Sequence, residues 1–96
     1  MRRLMPTIEP AMCEDEATAG PGGAMTVEVG VVTGDLTIRT TRQSGGLVDV
    51  QVQYSGAAEW YHLQGSPATV PEGELEDYHH RVLDAIEDGG AAEAPA

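Results

Sequence analysis

The three histidines, His62, His79 and His80, are the side chains of this sequence best suited to metal or acid–base chemistry. His79 and His80 are adjacent, so on a helix their side chains diverge by about 100° and cannot bind one metal ion as an i, i+4 pair does. His80 lies four residues from Glu76 and from Asp84, a spacing typical of weakly paired charges on a solvated helix face. The sequence therefore predicts no metal site and no cofactor.

Candidate nucleophiles are equally few. Ser44, Ser55 and Ser66 all lie in predicted turns, a usual position for serine. Cys13 is the single cysteine; it cannot form an intrachain disulfide, and the acidic run beside it disfavours its thiolate. No glycine-rich loop leads into a helix with a Lys or Ser behind it, so the sequence has no phosphate-binding loop. We expect a protein without catalytic residues, not an enzyme.

The predicted strand at residues 59–64 is the best candidate for a contact surface. Three of the four aromatic residues, Tyr54, Trp60 and Tyr61, lie within eight positions of one another. Trp60 either completes the core, as tryptophan usually does, or projects outward as an aromatic anchor within a polar rim, the usual anatomy of a protein contact surface. The candidate surface consists of Trp60, His62, Gln51, Gln53 and Asp49.

The strand that positions this surface runs from Leu47 to Tyr54. Its apolar and polar residues alternate strictly, which is typical of a half-buried antiparallel strand because successive side chains point to opposite faces. The predicted buried face carries Val48, Val50, Val52 and Tyr54. The opposite face carries Asp49, Gln51 and Gln53.

The register of the aromatic strand depends on the length of the turn before it. A four-residue turn at residues 55–58 pairs Val52 with Tyr61, and so turns Trp60 and His62 outward beside the polar face of the preceding strand. A turn of three or five residues reverses that assignment, because a slip of one residue exchanges the two faces of a strand. The sequence leaves both registers open.

An earlier hairpin is predicted from the alternation of residues 26–33, which favours a strand, and from Gly34-Asp35, which suits a two-residue turn with glycine at its first central position. The chain then returns as a strand over residues 36–42. In the resulting register Glu28 is diagonal to Arg39. The side chains of the first strand expected to face the core are Val27, Val29 and Val31.

One C-terminal helix follows the strands. It is predicted to begin at Pro71 or Glu72, where proline and acidic residues are both favourable in the first turn, and to end at Gly89-Gly90. One apolar stripe is expected to be buried: Leu75, Tyr78, Val82 and Ile86, with His79 and Leu83 beside it. The predicted fold is α+β, a four-stranded antiparallel β-meander followed by a helix packed on one face.

The ends of the sequence differ in composition from its middle. Residues 1–24 combine proline, glycine and an acidic run, and are predicted to be a disordered head or linker. Residues 90–96 are of low complexity and are predicted to be a disordered tail. The folded domain is then residues 25–89, and Met25 could itself be a translation start.

The charge limits the classes of partner. A net charge of −11 and a pI near 4.3 argue against direct binding to nucleic acid or to an anionic membrane, and are compatible with a basic protein partner. The sequence has no apolar run near 18 residues and no signal-peptide core, so we expect a cytoplasmic protein. All five cationic residues are Arg, which suggests a bacterial genome of high GC content.

A homodimer is predicted from the width of the sheet. Four strands span about 19 Å, whereas one helix is about 10–12 Å across and leaves part of the apolar face uncovered. The function expected from these features is protein–protein interaction, as a regulatory or adaptor module. An alternative is an inhibitor whose acids imitate nucleic-acid phosphates in a basic cleft. A second alternative is a small-molecule-binding protein or enzyme with a pocket between sheet and helix, lined by Tyr54, Trp60, His62 and Tyr78.

Overall fold

A computed structural model of the chain describes residues 9–96. The protein is an antiparallel sheet followed by one C-terminal helix, which confirms the predicted α+β class. A short 3₁₀ turn, Ser44–Gly46, joins the fourth and fifth strands. The strands are β1 (Met12–Thr18), β2 (Ala24–Thr26), β3 (Gly30–Val32), β4 (Asp35–Arg42), β5 (Leu47–Tyr54), β6 (Tyr61–His62) and β7 (Ala68–Thr69), and the helix is α1 (Leu75–Asp88).

The centre of the fold is the antiparallel pair β4–β5, as the alternation of these segments predicts. The strand order of the main sheet is β1-β4-β5-β6, and β7 also pairs with β5. Val52 lies opposite Tyr61, which is the register predicted from a four-residue turn, so the alternative registers are wrong. The connection between β5 and β6 is longer than predicted and spans residues 55–60. On the apolar face of β5, Val48, Val50 and Val52 are each 0% exposed, whereas Tyr54 at its end is 42% exposed, so the prediction that Tyr54 is buried is wrong.

β1 lies within the segment predicted to be a disordered head, and that prediction is wrong for residues 12–18. β1 pairs with β4 along its whole length, with Glu14 opposite Arg39. Ala17 is buried in the core and Cys13 packs against it, while Glu14 and Glu16 are exposed. Glu14 and Glu16 lie on alternate positions of the strand and face solvent, while Asp15 between them contacts His79 of the helix. A count of acidic residues alone therefore indicates disorder where the structure has a strand. Residues 1–8 of the predicted head lie outside the described residues.

The predicted hairpin around Gly34-Asp35 is also wrong. β2 pairs with β3 instead, with Thr26 opposite Gly30. The Thr26 hydroxyl donates to the Gly30 carbonyl at 2.7 Å and accepts from the Val29 amide at 3.1 Å, which closes the turn locally. Gly30 has a φ of 74°, a conformation that favours glycine. β1 therefore takes the place beside β4 that the sequence assigned to residues 26–33.

The alternating valines of this segment face solvent rather than the core. Val27, Val29 and Val31 are 58%, 52% and 45% exposed, whereas Val32 is buried. Residues 27–29 form the turn between β2 and β3, so the alternation over residues 26–33 does not mark one half-buried strand, and the prediction of such a strand is wrong.

The segment predicted to be a disordered tail adds to the structure. Ala92 is buried and forms a parallel bridge with Ala24. The Met25 amide donates to the Ala92 carbonyl at 2.8 Å, and the Ala94 amide donates to the Gln64 carbonyl at 2.8 Å. Backbone hydrogen bonds hold this segment in place. Because such bonds do not depend on side-chain type, the glycine- and alanine-rich composition could not predict them.

Small residues are required where the C-terminal end of α1 meets the backbone near residue 20. A Cβ added to Gly20 would collide with backbone atoms of Glu87 and Asp88, and a Cβ added to Gly89 would collide with those of Gly20 and Pro21. Gly20, predicted to be disordered, and Gly89, predicted to end the helix, thus allow these two backbone segments to touch.

The helix begins at Leu75, later than predicted, and its buried stripe is confirmed: Leu75, Tyr78, His79, Val82 and Ile86. The Glu9 carboxylate takes the role of the cap, since its Oε1 accepts the amides of Gly73 and Leu75 at 2.9 Å each. An acceptor at a helix N-terminus satisfies amides that have no partner within the helix.

Arg42 holds this carboxylate in place. Its Nε and Nη2 donate to Glu9 at 2.8 and 3.0 Å, and its Nη1 and Nη2 donate to the carbonyls of Val70 and Pro71. Both charged side chains are only 13% exposed. The Arg42 hydrogen bonds, assisted by those of Leu75 and Gly73, lower the pKa of Glu9 to about 2 against partial desolvation. This cluster joins the segment before β1 to β4 and to the start of α1.

The argument for a homodimer from an uncovered sheet does not apply to this fold. The valines of β5 are buried within one chain, because Ala24, Val32 and Ala92 complete the core beside α1. The homodimer stays a prediction without that support. Within residues 9–96, no helix has the length and apolar character needed to cross a membrane.

Candidate functional site

The face of the main sheet opposite the buried valines carries mostly polar side chains, and we call it the open face. Cross-strand register aligns Glu14 of β1 with Arg39 of β4, Arg39 with Gln51 of β5, and Gln51 with His62 of β6. The neighbouring rows of the open face bring Thr41 beside Asp49 and Thr37 beside Gln53. The predicted surface residues that lie partly exposed here are Trp60, His62, Gln51, Gln53 and Asp49.

Trp60 is not part of the core, and its position on the open face is fixed by Arg39. The guanidinium of Arg39 lies 4.1 Å from the centre of the Trp60 ring, a cation–π contact worth about 0.5–1 kcal/mol at an exposed site. The Nε of Arg39 also donates to Glu14 Oε1 at 2.9 Å. Arg39 thus contacts both Glu14 of β1, by an ion pair, and Trp60, the residue before β6, by its guanidinium face.

Sequence reasoning missed Arg39 and Glu14 as members of this surface. It placed residues 26–33 beside β4 and therefore gave Arg39 the wrong acidic neighbour, Glu28. A reading of residues 12–18 as a strand, with Glu14 and Glu16 on one face and Cys13 and Ala17 on the other, would have found them.

His62 joins the edge of the open face to the tip of the β2–β3 hairpin. Its Nδ1 lies 2.6 Å from Glu28 Oε2, its backbone amide donates to Glu28 Oε1 at 2.8 Å, and its Nε2 lies 3.7 Å from Asp49 Oδ1. The hydrogen bond that the His62 ring donates to Glu28 raises the pKa of His62 above 6.5, with help from the charge of Asp49 and against partial burial. The same hydrogen bond lowers the pKa of Glu28.

A titration of His62 is expected to report this pair directly. Removing the carboxylate with Glu28→Gln should lower the pKa of His62 toward 6.5, as followed by the imidazole proton signals in NMR. Glu59→Gln removes a carboxylate that does not contact His62 and serves as the control. An unchanged titration in Glu28→Gln would show that the pair does not form in solution.

The pH dependence of this contact follows from the two pKa directions. Because the folded pKa of His62 is raised, its contribution to stability is complete below pH 6.5 and is lost as pH rises through the folded value. Because the pKa of Glu28 is lowered in the folded protein, the stabilisation from this pair is also lost at acidic pH, as pH falls through the folded pKa of Glu28. The His62 side chain is 43% exposed, so solvent screening keeps the effect on global stability small.

His79 has a structural role. It is 2% exposed, its Nδ1 lies 2.9 Å from Thr40 Oγ1, and its Nε2 lies 2.9 Å from Asp15 Oδ2. These contacts tie α1 to β1 and β4. The three residue types resemble a catalytic triad, but Thr40 is 0% exposed and cannot meet a substrate.

The Cys13 thiol and the possible metal ligands of residues 9–96 do not form a common site. Burial, assisted by Glu76 and Asp15, raises the pKa of the Cys13 thiol, so the thiol is a poor nucleophile. No group of three His, Cys, Asp or Glu side chains within residues 9–96 is placed to hold a metal ion.

The residues proposed to line a pocket between sheet and helix do not meet. Tyr78 lies on the buried side of α1 and its hydroxyl donates to the Pro95 carbonyl at 2.9 Å, whereas Trp60 and His62 lie on the open face. A pocket of about 230 Å³ does open beside Tyr78 and Arg81, but it is smaller than the usual small-molecule site.

No protein-family profile, curated protein or solved structure matches the chain. The function proposed below therefore rests on the geometry and charge of the described residues.

Proposed function

We propose that this protein is a small acidic interaction module that binds a protein partner through the open face of its sheet and carries out no reaction itself. The observation that supports this most is the position of Trp60, partly exposed and held against the Arg39 guanidinium at 4.1 Å. An aromatic ring fixed before binding loses little conformational freedom when a partner covers it.

The surroundings of Trp60 have the character of a contact rim. Gln51, Gln53 and His62 supply hydrogen-bonding groups on neighbouring positions, and Glu14 and Asp49 supply negative charge. The partner that fits is a protein with a pocket for an aromatic ring inside a basic surface. The net charge of −11 would steer such a partner and make its association rate depend on salt.

A nucleic-acid mimic is less well supported. Such an inhibitor needs carboxylates in one band at phosphate-like spacing. Here one group of acids lies on β1, around Glu14 and Glu16, and another lies at the start of α1, around Glu76 and Asp77. A cytoplasmic location remains part of the proposal.

The test is the variant Trp60→Ala. Because Trp60 lies outside the core, the fold should be retained, with stability lowered by no more than about 1 kcal/mol for the lost cation–π contact. Binding to a partner captured from the native host and then purified should weaken by about 2 kcal/mol, or roughly 30-fold. Isothermal titration calorimetry measures the affinity and circular dichroism the fold.

Tyr54→Ala is the matched control. Tyr54 is an aromatic residue with 42% exposure, and its side chain is not on the open face. This variant should bind the partner like the wild type. Equal affinities of wild type and Trp60→Ala would overturn the proposed surface.

A further inference from the structure

The outer edge of β1 has no neighbouring strand within residues 9–96. β1 is seven residues long, pairs with β4 on one side only, and stands at the end of the strand order. Natural proteins protect edge strands by keeping them short, by proline or a bulge, or by charged side chains, because open backbone groups recruit other strands. β1 contains no proline and its pairing with β4 is continuous, so its acidic side chains decide which strands can join it.

The hydrogen-bond pattern identifies the free backbone groups. The Arg42 amide donates to the Ala11 carbonyl at 2.9 Å, and the Ala19 amide donates to the Gly34 carbonyl at 2.9 Å. In an antiparallel ladder every second residue directs both its amide and its carbonyl to the partner strand. The odd-numbered residues of β1 therefore bond to β4, and the residues with outward amides and carbonyls are Met12, Glu14, Glu16 and Thr18.

The charge on this edge selects the kind of strand that can join it. Glu14, Asp15 and Glu16 are consecutive and exposed. A second copy of β1 would bring these carboxylates against each other, and like charges on facing strands are destabilising. A strand with cationic residues would be stabilised instead. Its residues opposite Glu14 and Glu16 would lie on the open face, where their positive charges would be next to those two carboxylates.

We propose that the β1 edge receives an extended basic segment of the protein partner by strand addition, with Lys or Arg at positions i and i+2 beside Glu14 and Glu16. Main-chain hydrogen bonds supply affinity in this mode and alternate side chains supply specificity. The inference rests on the proposed function, since it specifies how the partner of the open face is recognised. Glu14 belongs to both regions, because it also holds Arg39 beneath Trp60.

A synthetic peptide tests the backbone component. The probe is a fluorescein-labelled, acetylated and amidated peptide of sequence Thr-Lys-Val-Lys-Val-Lys-Thr. In the proposed pairing the lysine amides face β1 and the valine amides face away. N-methylation of the lysine amides should weaken binding at least ten-fold in fluorescence anisotropy, and N-methylation of the valine amides should leave it within two-fold. Equal binding of the two methylated peptides, which have the same charge, would overturn strand addition.

Two substitutions at one position test the protein side. Glu16→Gln removes the charge and keeps the outward amide, whereas Glu16→Pro removes both. Proline is tolerated in an edge strand where its nitrogen faces away from the ladder. Glu16→Pro should bind the unmodified peptide at least ten-fold more weakly than Glu16→Gln does. If circular dichroism shows that Glu16→Pro is unfolded, a second experiment replaces it: the peptide is added to the wild type and the amide signals of Glu14 and Glu16 are followed by NMR. The proposal expects these signals to shift, and unchanged signals would overturn it.

The outcome separates this inference from the proposed function. If Trp60→Ala releases the partner but the two methylated peptides bind alike, the open face is a contact surface and the edge is not. If the peptides differ as expected but Trp60→Ala binds the partner normally, the edge is a site and the proposed use of the open face is wrong.

Discussion

A chain that begins at Met25 is expected not to fold. It lacks β1, whose Ala17 is buried in the core, and it lacks the Glu9 carboxylate that caps α1. It also lacks Gly23, whose carbonyl accepts the Ala92 amide. Far-UV circular dichroism and a thermal scan of the truncated chain should show no cooperative transition. A transition within a few degrees of the full chain would mean that β1 does not pack as described.

A pair of point variants isolates the contribution of β1 from that of the rest of the removed segment. Ala17→Asp places an unpaired charge in the core and should destabilise the protein by about 3 kcal/mol or more. Glu16→Asp introduces the same residue on the adjacent, exposed position and should change stability by less than about 0.5 kcal/mol. Denaturant unfolding measures both, and similar stabilities would contradict the placement of β1 in the sheet.

The second large effect is expected at the ion pair between Glu9 and Arg42. Arg42→Met removes the ion-pair partner of the Glu9 carboxylate and the donor to the carbonyls of Val70 and Pro71, so the thermal midpoint at pH 7 should fall clearly. Because the pKa of Glu9 is about 2 in the folded protein and near 4.5 when unperturbed, its contribution is complete above pH 4.5 and is lost as pH falls toward 2.

The measurement is the pH dependence of stability in three chains. Between pH 4.5 and 2 the wild type should take up about one more proton on unfolding than Glu9→Gln does. Arg42→Met should show part of this reduction, because it removes the largest cause of the lowered pKa of Glu9 but leaves the hydrogen bonds from the amides of Gly73 and Leu75. Glu93→Gln removes an exposed negative charge elsewhere and serves as the control. Parallel pH profiles for wild type and Glu9→Gln would show that the ion pair does not form.

The parts of the fold that the sequence predicts are those with local signals. β4, β5 and α1 combine correct periodicity with clear turn residues, and their buried faces match. β1 could not be found by composition, because an acidic strand at the sheet edge resembles a disordered segment. The pairing of residues 92–94 with residues 24 and 64 depends on contacts between distant parts of the chain, for which no local pattern exists.

The candidate surface was predictable to a similar extent. The register of Val52 and Tyr61 follows from turn length, and it brings His62 and Gln51 together. The ion pair of Arg39 with Glu14 and the contact of His62 with Glu28 depend on where β1 and the β2–β3 hairpin lie. Their discovery therefore required the tertiary structure.

The bridge between Ala24 and Ala92 has a consequence for synthesis on the ribosome. The strand that contains Ala24 meets its last neighbour only when a residue 68 positions later has emerged. The helix must also be made before its apolar stripe can cover β4 and β5. Folding of this domain should therefore be completed only once residue 92 has left the ribosome, and the nascent chain would expose its valine-rich strands until then.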